Sequence, residues 1–153
     1  MSDHRDEWDF EVRSKKSARY AMVAAGVLVI VHVVLALLLR TSATGVYFRT
    51  IDQFAMAAIG LLLAGGVLML TRPRLRVGPR GIGVRNVLGE RVVDWDLDRG
   101  LSFPEGAPWA RIELPDDEYV PVMAIQLNDG DHAVHAVRRF RELEAKYTGS
   151  RTE

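Results

Sequence analysis

The sequence contains no cysteine. That absence excludes disulfide staples and thiolate chemistry, and it suits a reducing compartment. Net charge is missing too, since 20 basic residues balance 20 acidic ones. From Arg72 onward 13 basic residues face 14 acidic ones, so this part of the chain sets up no field that would draw in nucleic acid or anionic lipid. Histidines number only four, and no segment pairs a nucleophile with a base. No catalytic residue, cofactor site or metal site is therefore assigned, and a non-enzymatic protein is expected.

What the chain has in abundance is apolar sequence, gathered in two places. Tyr20 to Leu39 is a run of 20 residues without a charge, and Phe54 to Leu70 is a second run of 17, separated from the first by 14. A helix rises about 1.5 Å per residue, so roughly 20 apolar residues cover a hydrocarbon core of about 30 Å. The pattern predicts a membrane hairpin over residues 20–70, with spans at about 20–39 and 54–70. A cleaved signal peptide is the rival reading of the first run, and the length of that run, the acidic leader (Asp3, Asp6, Glu7, Asp9, Glu11) and the second span that follows all weigh against it.

Flanking charge orients the hairpin. Arg13, Lys15, Lys16 and Arg19 precede it and Arg72, Arg74, Arg76 and Arg80 follow it, whereas the connecting loop offers Arg40 and Arg49. Positive charge stays on the cytoplasmic side, so a two-span protein of the plasma (inner) membrane with both termini cytoplasmic is expected. Small residues invite close helix packing: Gly60 and Ala64 have small-xxx-small spacing and are helix-packing candidates, either within the hairpin or against helices of another protein. His32, in the middle of the first span, is a third candidate. Hydrocarbon offers it no partner, and the second span supplies no His, Asp, Glu or Lys, so a backbone carbonyl or a neighbouring chain should bond it.

After Leu70 the pattern shifts to short alternating segments. Strands are predicted over 74–77, 82–86 and 90–95, with a tight turn at Gly78-Pro79-Arg80-Gly81 and another at Gly89; further strands fall at 100–103, 109–114 and 118–123. Pro121 marks the last of these as an edge or bulged strand. An amphipathic helix follows, capped by Asn128 or Asp129, with Ala133, Ala136, Val137, Phe140, Leu143 and Tyr147 on one stripe and Gly149 as its stop. Several constellations imitate chemistry. Asp94, Asp96, Asp98 and Glu105 match four positions of an EF-hand loop, but Arg99 stands where glycine is required and strands replace the flanking helices. Gly78, Gly81 and Gly83 fit a hairpin turn better than a nucleotide loop, and His132 with His135 lacks a third histidine for zinc.

The stretch Leu75-Arg-Val-Gly-Pro-Arg-Gly-Ile-Gly-Val-Arg85, then Val92-Val-Asp-Trp95, Leu101-Ser-Phe103 and Trp109-Ala-Arg-Ile-Glu-Leu114, resembles the small bacterial PH-like domain of actinobacterial membrane proteins, such as the mycobacterial low-molecular-weight protein antigen type. The resemblance implies a membrane α-hairpin plus an α+β domain: a PH-like antiparallel β-barrel with one C-terminal helix, over residues 71–148, preceded by a leader (1–19) and followed by a short tail (149–153). It brings no catalytic residues. An accessory or scaffold subunit of a larger integral membrane complex is expected, by analogy a respiratory cytochrome complex; the alternative is a tethered module that binds anionic lipid through Arg74, Arg76, Arg80 and Arg85. Candidate protein contacts are Trp8 and Phe10 in a leader that is disordered until it meets a partner, Phe103 and Trp109 on the domain, and the basic helix face of Arg138, Arg139 and Arg141.

Overall fold

The computed structural model describes residues 8–38 and 49–149. They fall into two compact units, one within Ser17–Thr71, the other combining residues of Met1–Lys16 with those of Arg72–Glu153.

The first unit is helical. Helix α1 (Lys15–Leu38) begins ahead of the apolar run, and α2 (Thr50–Leu68) is followed by a single 3₁₀ turn at Met69–Thr71. Both helices are long and apolar enough to cross a membrane. Helix α2 starts earlier than the apolar run predicts because Asp52, in its first turn, accepts the backbone N–H of Arg49 at 2.8 Å. Arg40 and most of the connecting loop lie outside the described residues. Buried positions are small (Ala21, Ala25, Ala36, Gly60, Ala64), while Val27, Ile30, Leu61 and Leu62 stand exposed. Apolar side chains outward and small ones inward is an arrangement suited to lipid, not to water.

Among the described residues the second unit holds seven strands and one α-helix. Strands β1 (Phe10–Val12), β2 (Arg74–Gly78), β3 (Gly81–Arg85) and β4 (Glu90–Val93) form an antiparallel sheet in that order. Strands β5 (Leu101–Ser102), β6 (Trp109–Glu113) and β7 (Tyr119–Gln126) form a second. The Gly78-Pro79-Arg80-Gly81 turn is where the sequence puts it, and Gly81 is required there: its φ is +130°, and a Cβ would lie 2.4 Å from the Val93 carbonyl oxygen. Pro121 sits in β7, at an edge of its sheet, and the pairing of β6 with β7 slips between Trp109 and Ala110.

Two corrections to the expected barrel follow. The sheets do not close on one another. Where a closing ladder would run, the Asn86 side chain bridges instead, donating to the Pro121 carbonyl at 2.8 Å and accepting the Met123 N–H at 3.3 Å. Moreover, the leader supplies a strand: Phe10 pairs with Val77 and Val12 with Leu75. The two apolar helices are thus inserted, in sequence, between paired strands of one sheet.

Helix α3 (Asp131–Gly149) packs its stripe of Ala133, Ala136, Phe140 and Leu143 into the core between the sheets. Trp95 contacts Phe140 (ring centroids 6.4 Å apart), stacks on Tyr147 (5.4 Å) and donates its indole N–H to the Gly78 carbonyl at 3.0 Å. Asp129 does not cap α3 as the sequence suggests. Its buried carboxylate accepts the backbone N–H of Lys16 at 2.9 Å, and Lys16 Nζ donates to the Asn128 carbonyl at 2.6 Å, so the start of α1 is held by the segment leading into α3.

Candidate docking groove

The α3 stripe that faces the core leaves part of the helix uncovered. Alongside it, Phe103 from the loop after β5 and Leu127 from the 3₁₀ turn after β7 form the second wall of an open groove of about 770 Å³. Ala133, Val134 and Val137 supply the apolar floor, and Arg138, Arg141 and Glu142 line its far end. Val134 and Leu127 are more than half exposed (58% and 57%), an unusual cost for apolar side chains in water unless something covers them. Arg139 pairs with Glu142 at 2.7 Å, which takes both out of the groove's free charge and leaves Arg138 and Arg141 as its cationic rim.

Beside this rim lies a pair of carboxyl groups. Asp98, almost fully buried, accepts the Gly100 N–H at 2.9 Å and shares a hydrogen bond with Glu144 of α3. Burial pushes Asp98 above the ordinary carboxylate range, against the Gly100 N–H, the Glu144 hydrogen bond and the Arg99 charge. Glu144 is pushed up by burial and by Asp98, and Arg141 partly offsets this.

The residues singled out in the sequence separate into three groups. Phe103, Arg138 and Arg141 meet in the groove; Arg139 adjoins it. Trp109 does not, being half-buried on the β6 face that alternates with buried Ala110 and Ile112. Neither Trp8 nor Phe10 is held free. Phe10 packs against the core, and the Trp8 ring lies over Gly83, where a Cβ would approach it to 3.1 Å, with the Arg76 guanidinium 4.9 Å from the ring centre. Between them Asp9 accepts Lys146 Nζ at 2.9 Å and the Tyr147 hydroxyl, which hold it below the usual carboxylate range and hold Lys146 and Tyr147 above theirs. In the helical unit, Gly60 and His32 meet each other: a Cβ at Gly60 would lie 2.4 Å from His32 Cβ. His32 Nδ1 bonds the Leu28 carbonyl of its own helix at 2.8 Å, so the Gly60 side faces the hairpin's own histidine rather than a foreign helix. Ala64 is buried one turn further on.

Leu127, Val134 and Val137 were absent from the sequence candidates. A signal for Val134 existed, in that it is an apolar residue lying off the stripe of α3. Among the described residues no three His, Asp or Glu side chains are grouped to hold a metal ion.

A family model described as a bacterial PH domain matches residues 72–143. Uncharacterized proteins of Mycobacterium bovis and of two Mycobacterium tuberculosis strains are each 51% identical to this chain over 147 residues, covering 96% of both sequences. No solved structure matches the chain.

Proposed function

We infer the role of this chain from its membership: it belongs to the bacterial PH domain family, and its likeness to the mycobacterial relatives runs through the apolar helices as well as the domain. It acts as a non-enzymatic, membrane-anchored accessory subunit, with α1 and α2 crossing the inner membrane and the PH-like domain presenting the α3 groove to a larger membrane complex. The observation that carries this reading is the groove itself, with exposed Leu127 and Val134 beside Arg138 and Arg141. Apolar floor and cationic rim fit an amphipathic segment with acidic residues flanking its apolar face.

Topology supports the anchor. Strands β1 and β2 bracket the two helices and pair with each other, so the chain must leave and return on one side of any bilayer the helices cross. The flanking arginines and lysines make that side the cytoplasmic one. Anchoring then confines domain and partner to one surface, so a modest groove contact suffices for stable association.

The test places a photo-crosslinking residue at Val134 of the full chain in native membranes. The reading expects one adduct, on an apolar segment with flanking acidic residues, lost when Arg138 and Arg141 are both changed to Glu. Respiratory cytochrome subunits are the first partners to seek. Crosslinks scattered over unrelated proteins would refute it.

A further inference from the structure

We propose that Asp98 and Glu144 form a proton-operated latch at the end of the α3 groove. With a proton between them they hold the loop that leads into Phe103 against α3; without it they part, and the groove loosens its grip on a partner. This regulation rests on the docking role proposed for the groove.

The two walls of the groove are the two elements that the pair joins. Glu144 lies on α3 just beyond Arg141 and Glu142, which line the groove's far end. Asp98 and Gly100 stand immediately before β5, whose chain runs on into Phe103, the opposite wall. A Cβ on Gly100 would lie 3.7 Å from Glu144 Oε1, so the Glu144 carboxyl rests on the Asp98–Gly100 loop. Asp98 is only 8% exposed, and its Oδ1 accepts the Gly100 N–H at 2.9 Å. Its Oδ2 is buried, and no donor reaches it among the described residues. The side chain within hydrogen-bond reach is Glu144, which can donate only when protonated.

Few other charges bear on the pair. Arg99 of the same loop and Arg141 of α3 favour ionisation, and burial outweighs each of them, helped at Glu144 by the Asp98 charge. Strand β6 meets the loop through its backbone: Arg99 N–H donates to the Glu113 carbonyl and Glu113 N–H to the Gly100 carbonyl, both at 2.9 Å. The Glu113 carboxylate is taken up by Ser102 and Arg111. Both latch carboxyls therefore titrate above their ordinary range, so the latched form is complete at acid pH and is lost as pH rises through the raised values. Two adjoining carboxylates then repel each other. Arg141, three residues before Glu144 on the helix, is drawn towards that ionised neighbour and away from acidic residues on a docked segment.

The absence of native cysteine permits paired labelling. Full chains carrying Glu105→Cys, on the exposed turn after Phe103, and Ala145→Cys, on the exposed side of α3, are spin-labelled and reconstituted in nanodiscs. Pulsed electron resonance then reads the label-to-label distance from mildly acidic to mildly alkaline pH. The distance should be short and narrowly distributed at the acid end, and longer and broader at the alkaline end. Asp98→Asn with Glu144→Gln should hold the short distance throughout, and Glu144→Gln alone, which leaves the loop native, should shrink the shift. A distance that ignores pH in the otherwise unaltered chain overturns the latch, as does a shift that survives these substitutions. Co-isolation of the tagged full chain from native membranes at the two ends reads the consequence. Partner recovery should fall by roughly 5-fold or more at the alkaline end, the low end of coupling between sites, and Glu144→Gln should lessen the fall. Equal recovery at both ends from a chain whose distance shifts overturns the control over docking. A chain that isolates alone at both ends overturns the groove's docking role, and the distance measurement still decides the latch.

Discussion

Replacing Val12 by aspartate should unlatch the leader strand from the domain. Val12 is 5% exposed in the core and pairs with Leu75 of β2. Burying a valine side chain contributes about 1.5–3 kcal/mol, which the substitution forfeits. An ionised carboxylate at the same place would have to be desolvated without a partner, at a greater cost than releasing a three-residue strand, so β1 leaves instead of carrying the charge inward. The expected loss is about 3 kcal/mol, a large part of the roughly 5–15 kcal/mol available to a small domain. Val12→Ala, which removes two methyl groups and keeps the strand docked, should cost about 1.6 kcal/mol. Hydrogen exchange on the full chain in nanodiscs reads the difference: Val12→Asp should strip protection from the β2 amides that face β1 while leaving the bonds to β3. Unchanged β2 exchange together with an unchanged urea midpoint would refute the claim that the leader belongs to the domain.

Further outcomes follow from single contacts. Gly60→Ala should destabilise the helix pair by about 1–3 kcal/mol, because the new Cβ meets His32 Cβ; steric-trap unfolding in bicelles measures it, and His32→Gly should recover part of the loss. Trp95→Phe leaves the buried Gly78 carbonyl without its donor and should cost about 1–3 kcal/mol in urea unfolding. Asp98 and Glu144 both have folded pKa values raised mainly by burial, so between the unfolded and folded values the folded state holds more protons. Their contribution is therefore most favourable at acid pH and is lost as pH rises through the raised values. Asp98→Asn, which keeps an acceptor for the Gly100 N–H, should flatten that slope and stabilise the domain at neutral pH by about 1 kcal/mol; urea midpoints across a pH series decide it.

Local chemistry explains what could be read directly from sequence. The two apolar runs, the Gly78–Gly81 turn, the alternation of Ala110, Ile112 and Leu114 and the α3 stripe each declare themselves within a few residues, and each appears in place, with both apolar helices starting four or five residues early. Strand β1 does not declare itself. Three residues show no usable alternation, and their partner strand comes some sixty residues later, after two helices. The open seam between the sheets was hidden for a related reason, since Asn86 reads as a turn residue and only the fold brings it to Pro121. Residue type and position make Phe103, Arg138 and Arg141 contact candidates in the sequence, but their convergence on one groove depends on where the loop after β5 lies along α3. Leu127 and Val134 become informative only once the structure leaves them uncovered.

The proposed role requires the α3 groove to bind a membrane partner. Its most direct test is quantitative co-isolation of the tagged full chain from native membranes in mild detergent, comparing wild type with Val134→Glu. Val134 is 58% exposed, so the substitution leaves the core intact and changes the groove. A stoichiometric membrane partner is expected with the wild type, and its loss with the variant. A wild-type chain that isolates alone, or a partner retained equally by both, would contradict it.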